Sequence, residues 1–251
     1  MPRPSPDFLP PSKLQWAQEL PRALYGLASL PASRRVLLDA PVGDGRPVML
    51  LPGLFNSDRA NGLMRGYLRR LGYDARGWGL GRNFGTRTIG VEGERFLTAL
   101  EKFSSESDAP VTLIGISLGG IIARFAAHRR PELVREVITI ASPFAGDPRA
   151  TNVWRAFELF TGDRVDSAHV AARRVEVAAP LPVPATAIWS RDDGLVNGNI
   201  CHDPADTTLH SIEVRSGHVG VQTRPAVLLA VAQVLGKQRP QSSTLDLRQV
   251  T

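Results

Sequence analysis

The sequence predicts an α/β fold: a mainly parallel sheet with helices on both faces and a helical cap inserted late in the chain. The run VTLIGI (111–116) is apolar end to end instead of alternating, as a strand covered on both sides must be, and VREVITIAS (134–142) reads as another buried strand. These runs alternate with amphipathic stretches of helical period, the pattern of a sheet wound with crossover helices. One interval, 143–183, is too long for a simple connection and carries helical periodicity of its own.

Taken in order, residues 1–33 are expected to form a proline-rich arm and an N-terminal helix. Four of the first ten residues are proline, which favours extended chain over 1–12. Residues 13–29 read as a helix interrupted at Pro21, with Leu14, Ala17, Leu24 and Leu27 partly on one face and packed on the domain. From 34 to 236 the alternation runs unbroken. RRVLLDAPVGDGRPVMLLPG suggests a strand, an Asp-Gly turn and a buried strand ending at Leu51. A helix follows over 58–71, with Asn56, Ser57 and Asp58 placed to cap it. Then come a strand near YDARGWGL, a helix over 88–103, the strand 111–116 and a helix from 118 that stops before Pro131. The strand 134–142 opens into the 143–183 insert, where Trp154, Phe157 and Phe160 recur every third residue in the helical stretch NVWRAFELFTG. Strands at 184–190 and 207–216 and a closing helix, RPAVLLAVAQVLG, complete the domain. Residues 237–251 are a polar tail.

Composition bounds the function. With 43% hydrophobic and 22% charged residues the chain is an ordinary globular one, and 251 residues are enough to bury a full sheet. The formal charge of +6 favours anionic partners. Its arginines, however, come in scattered pairs (69/70, 129/130, 173/174) with no nucleic-acid motif, so nucleic acid is not expected as a partner. A peripheral contact with an anionic membrane, through the basic surface and the N-terminal helix, is an open expectation. The lone Cys201 excludes an intrachain disulfide and a cysteine-rich metal site. No metal or cofactor is expected, and with no signal-peptide core or membrane span the expected location is the cytoplasm.

The chemistry centres on Gly115-Ile116-Ser117-Leu118-Gly119, set between the strand VTLIGI and an apolar helix. A serine at that bend is lifted out of the sheet, and glycines on either side are needed where a side chain would strike neighbouring elements. A serine hydroxyl is a weak nucleophile and needs an imidazole to take its proton. The imidazolium in turn needs a carboxylate, and the oxyanion formed on attack needs N–H donors. Asp192 and Asp193 follow the strand PATAIWS, and His218 follows the last strand, in RSGHVG. Such positions beyond strand carboxyl ends are where sites form in open sheets. Of the five histidines, His202, nine residues past Asp193, is the rival to His218.

These residues, in this order, resemble the α/β-hydrolase family over most of 34–236. The resemblance implies a Ser117–His218–Asp193 triad, with the Asp-Gly-x-Val pattern selecting Asp193 over Asp192. It also implies an oxyanion hole formed by the backbone N–H groups of Leu118 and Leu54, with Phe55 as fallback. Pro52-Gly53-Leu54 would here replace the family's His-Gly-x element. The implied activity is hydrolysis of carboxylic esters, lipase- or esterase-like, through an acyl-enzyme and on a hydrophobic acyl substrate. Acyl transfer at the same site, or a non-catalytic binding role, are the alternatives. Phe55, Arg82 and Asn83 in the early loops, and Trp154 and Phe157 in the insert, are candidate substrate-binding residues, with Arg82 and Asn83 alternatively holding their own loop through side-chain hydrogen bonds.

Overall fold

The computed structural model describes residues 9–236; the first eight residues of the expected arm and the tail at 237–251 lie outside the described residues. The elements, in chain order, are α1 (Lys13–Ala17), α2 (Glu19–Ser29), α3 (Arg34–Leu38), β1 (Pro47–Leu51), α4 (Gly62–Leu71), β2 (Asp74–Gly77), α5 (Thr86–Ile89) and α6 (Glu94–Ser107). They continue with β3 (Val111–Ile116), α7 (Leu118–Arg129), β4 (Val134–Ile140), α8 (Trp154–Thr161), α9 (Ala168–Ala178), β5 (Ala185–Trp189), β6 (Leu209–Glu213) and α10 (Pro225–Leu235). The six strands form one sheet in the order β2-β1-β3-β4-β5-β6, every neighbouring pair parallel.

The residues of the mainly apolar central strands sort by pleat. Val48, Leu50, Ile114 and Ile138 face one side, under α4 and α10, with Met64, Leu68, Val227 and Val231. Met49, Leu51, Leu113 and Val137 face the other, under α6 and α7, with Phe96 and Leu100. The strand order reverses between β1 and β3: β2 lies outside β1 on one side, and all later strands are added on the other. A crevice opens at the carboxyl ends of β1 and β3 at this reversal. The loop after β1 and the serine after β3 are therefore neighbours.

The structure corrects several sequence expectations. Residues 34–38 are helical, not a strand. Only Leu37 of this segment is buried, and two arginines open it, so it lacks the two-sided apolar surface a parallel strand needs. Asp58 does not cap α4, whose N-cap is Asn61 with no side-chain bond. Asp58 accepts instead from the N–H groups of Trp78 (3.0 Å) and Gly79 (3.1 Å), tying the loop after β1 to the loop after β2. The insert holds two helices, α8 and α9; the second has a thin apolar face, with only Val177 buried, and its period is weak in the sequence.

The N-terminal helix also differs. It breaks at Gln18, and Pro21 sits in the first turn of α2, where its missing N–H is no loss. Moreover, α2 is turned inside out: Glu19 and Gly26 face the protein, while Leu20, Leu24, Tyr25 and Leu27 are exposed. Polar bonds, not apolar burial, hold this helix down. Truncating the buried Leu100 to alanine is therefore expected to cost about 2–5 kcal/mol of stability, and truncating Leu24 at most about 0.5 kcal/mol. Urea denaturation of the two variants checks the contrast.

Candidate active site

Ser117 stands between β3 and α7 with φ 52° and ψ −120°, a conformation a side-chain-bearing residue adopts only when its surroundings enforce it. Close packing supplies the enforcement. A Cβ at Gly115 would lie 2.4 Å from the Gly119 oxygen and the Gly120 Cα, one at Gly119 would lie 2.4 Å from the Leu51 oxygen, and one at Gly120 would lie 2.0 Å from Ser142 Oγ. The Ser117 N–H donates to the Ile140 carbonyl of β4 (2.8 Å), pinning the bend to the sheet.

The loop after β1 is clamped almost completely. Asn83, fully buried, donates from Nδ2 to the Pro52 carbonyl (2.7 Å) and accepts at Oδ1 from the Gly85 N–H (3.0 Å). Its main chain accepts from the Phe55 N–H (2.8 Å) and donates to the Asn56 carbonyl (2.9 Å). Arg82 donates to the Phe55 carbonyl (3.2 Å). These bonds hold Phe55 at φ 65° and leave the Leu54 N–H over. Among the described residues, neither the Leu54 nor the Leu118 N–H donates to another group, and both residues line one cavity with Ser117. The fallback donor, the Phe55 N–H, is already committed to Asn83.

Asp193 and His218 meet. His218 Nδ1 lies 2.7 Å from Asp193 Oδ2, with 12% of the histidine side chain and 3% of the aspartate side chain exposed. Asp193 Oδ1 accepts from the N–H groups of Leu195 and Val196 (2.8 Å each), which aims Oδ2 at the ring. With Nδ1 so engaged, Nε2 is the ring nitrogen left for a further partner. Burial disfavours the imidazolium, but the charges of Asp193 and Glu19 and the hydrogen bond to Asp193 outweigh it, so the His218 pKa is raised. His202 stacks on Trp189 instead, with ring centroids 4.0 Å apart, and burial lowers its pKa. His169 of α9 lines the cavity but pairs with no carboxylate among the described residues. Asp192 is taken by Arg215 (2.9 Å). Cys201 is buried, which pushes its thiol pKa well up and removes it as a nucleophile.

The cavity, about 160 Å³, runs from Ser117 and Leu54 beneath the inserted helices, and Trp154, Phe157, Ile121 and Val170 are among its mainly apolar walls. Trp154 and Phe157 thus line it. Phe55 does not line it; its ring packs edge-on against Phe160 of α8 at 4.4 Å, joining the loop after β1 to the cap. Arg82 and Asn83 do not line this cavity; they form the clamp just described, the loop-holding alternative. Two further anchors were not read from the sequence. Asp163 accepts from Thr86 Oγ1 (2.7 Å), and the buried Arg124 of α7 donates to the carbonyls of Val177 and Ala179 (2.5 and 2.7 Å) at the end of α9. Arg124 carries no carboxylate partner among the described residues, and burial lowers its pKa to about 10. An isolated buried arginine gives no signal in a sequence.

No protein-family model matches the sequence, and no curated protein matches it. Solved structures do. The chain is similar to Aspergillus fumigatus lipase B at 19% identity and TM-score 0.60, over 83% of this chain and 57% of that one, so it spans little more than half of that lipase. It is similar to one of the metagenome-derived lipolytic enzymes LipS and LipT at 16% identity and TM-score 0.57, covering 79% of this chain and 96% of that one. A third likeness is to MGS-MChE2, an alpha/beta hydrolase enzyme from a sediment metagenome of the Mar Chica lagoon, at 20% identity and TM-score 0.51, covering 79% and 93%. The chain has the α/β-hydrolase fold. Among the described residues no helix is long and apolar enough to cross a membrane.

A raised His218 pKa has a sign. The pairing contributes stability fully below the unfolded-state value, near 6.5, and loses it as pH rises through the folded value. Asp193→Asn, which keeps Oδ1 as an acceptor but removes the charge, is expected to lower the His218 titration midpoint and flatten this dependence. Urea denaturation from pH 5 to 9, with NMR titration of the ring, measures both.

Proposed function

We propose that the chain is a serine hydrolase of carboxylic esters. The observation that carries the reading is the 2.7 Å His218–Asp193 pair on the same sheet edge as a strained serine whose cavity also holds two uncommitted N–H groups. In this reaction Ser117 Oγ attacks the acyl carbon while His218 Nε2 takes its proton. Asp193 holds the ring and the positive charge formed on it. The carbonyl oxygen, now an anion, takes the N–H groups of Leu54 and Leu118. Collapse expels the alcohol, protonated by His218, and leaves an acyl-serine. Water, deprotonated by the same imidazole, then releases the acid.

The apolar cavity favours an uncharged hydrophobic acyl group, and its volume is about that which admits a benzene-sized guest. Ser117→Ala is expected to lower kcat at least about a thousand-fold on a chromogenic ester, and to abolish labelling by a fluorophosphonate whose adduct maps to the peptide containing Ser117. Turnover retained in that variant would rule the mechanism out.

The outward face of α2 supports a lipid surface as partner. Leu20, Leu24, Tyr25 and Leu27 are exposed along one side, and the acidic residue of segment 9–38, Glu19, is buried, while Lys13, Arg34 and Arg35 are exposed. That combination suits an anionic membrane surface. Sedimentation with phosphatidylglycerol vesicles is expected to exceed that with phosphatidylcholine, to fall with salt, and to be lost in the triple Leu20, Leu24, Leu27→Ser variant. A concentration-dependent dimer that binds neither vesicle would overturn this assignment.

A further inference from the structure

Glu19 lies in the N-terminal segment, about a hundred residues before Ser117, yet the residue is only 4% exposed and its carboxylate reaches the loops of the candidate active site. Oε1 accepts from the Gly194 N–H at 2.6 Å, and Oε2 from the Val219 N–H at 2.7 Å. Gly194 directly follows Asp193, and Val219 directly follows His218. One side chain therefore joins the acid loop to the histidine loop, each through the residue adjoining its functional group. Bonds of N–H to a buried carboxylate are among the stronger kind.

Both loops are shaped to receive this segment. A Cβ at Gly194 would lie 2.5 Å from the Gln15 carbonyl oxygen, and one at Gly217 would lie 2.8 Å from Glu19 Oε2. Around the carboxylate, Gln15 donates to the Arg191 carbonyl (3.1 Å) and Arg22 to the Asp192 carbonyl (2.5 Å), so the segment follows the acid loop from 191 to 194. This accounts for the inverted packing of α2: its polar side faces inward because the two loops offer it N–H and C=O groups.

We propose that Glu19 is a positioning residue that sets the distance and orientation between Asp193 and His218 by bridging their loops. It deepens the reading above, on which its catalytic consequence rests. The charged groups acting on His218 are Asp193 from the acid loop and Glu19 from α2, both raising its pKa. Removing the Glu19 charge lets the imidazolium lose its proton more easily, and the acidic limb of kcat/KM moves to lower pH.

Glu19→Gln keeps one acceptor but sets an NH₂ against the second loop's N–H, releasing that loop. Glu19→Asp keeps the charge but is one methylene too short to reach both N–H groups. For Glu19→Gln we expect kcat to fall about tenfold or more with KM within about twofold, together with a lower His218 midpoint in an NMR titration. For Glu19→Asp we expect a similar fall in kcat with a midpoint close to that of the parent chain. A Glu19→Gln protein that titrates and turns over like the parent overturns the proposal. Should that variant fail to fold, parental kcat in Glu19→Asp overturns it equally. If the parent chain turns over no ester and Ser117→Ala changes nothing, the hydrolase reading has failed, and the His218 titration still tests the bridge.

Discussion

The close approach of α7 to the carboxyl ends of β1 and β3 is the constraint from which the site follows. At Gly115, Gly119 and Gly120 the helix and the strands pack with no room for a Cβ, and the chain turns from sheet to helix within one residue. That residue, Ser117, is thereby held in a strained conformation with its side chain on a cavity wall. The same turn leaves the first N–H of α7 without a carbonyl partner, as any helix start does, beside the serine. The bend that exposes the hydroxyl and the donor that would receive the oxyanion are thus products of a single packing decision.

Around this point the protein spends its polar bonds on loops. Asn83 and Arg82 hold the segment after β1, Asp58 ties it to the next loop, and Asp193 uses one carboxylate oxygen to shape its own turn and the other to engage His218. Donors and acceptors that face the loops are consumed, and the Leu54 N–H is left over. Preorganisation of this kind removes the need to reorient dipoles when charge develops. The cap is likewise fastened, by Arg124 to α7 and by Asp163 to the turn that opens α5, so the cavity is a built feature of the fold.

The N-terminal helices belong to this scheme although they lie outside the sheet and its crossovers. Their bonded side is polar and directed at the acid and histidine loops; their free side is apolar and directed outward. The common amphipathic arrangement is reversed: the inward side bonds the acid and histidine loops, and the outward side leaves Leu20, Leu24, Tyr25 and Leu27 exposed.

Much of this was legible in the sequence. A continuous apolar strand can only be stable when covered on both faces, so VTLIGI, in a chain of alternating strands and helices, identified a wound parallel sheet. The glycines around Ser117 identified the bend, because sterics act within a few residues. The positions of Asp193 and His218 after successive strands marked them as candidates. Tertiary structure alone decided what depends on distant groups. It stacked His202 on Trp189, chose the Pro52 carbonyl as the partner of Asn83, made a helix of RRVLL, and brought Glu19 into bonding reach of two loops nearly two hundred residues away. Periodicity reports which face of an element is covered, because that is a local property of the chain. The partner of a buried polar group is set by packing between elements, and no local pattern carries it.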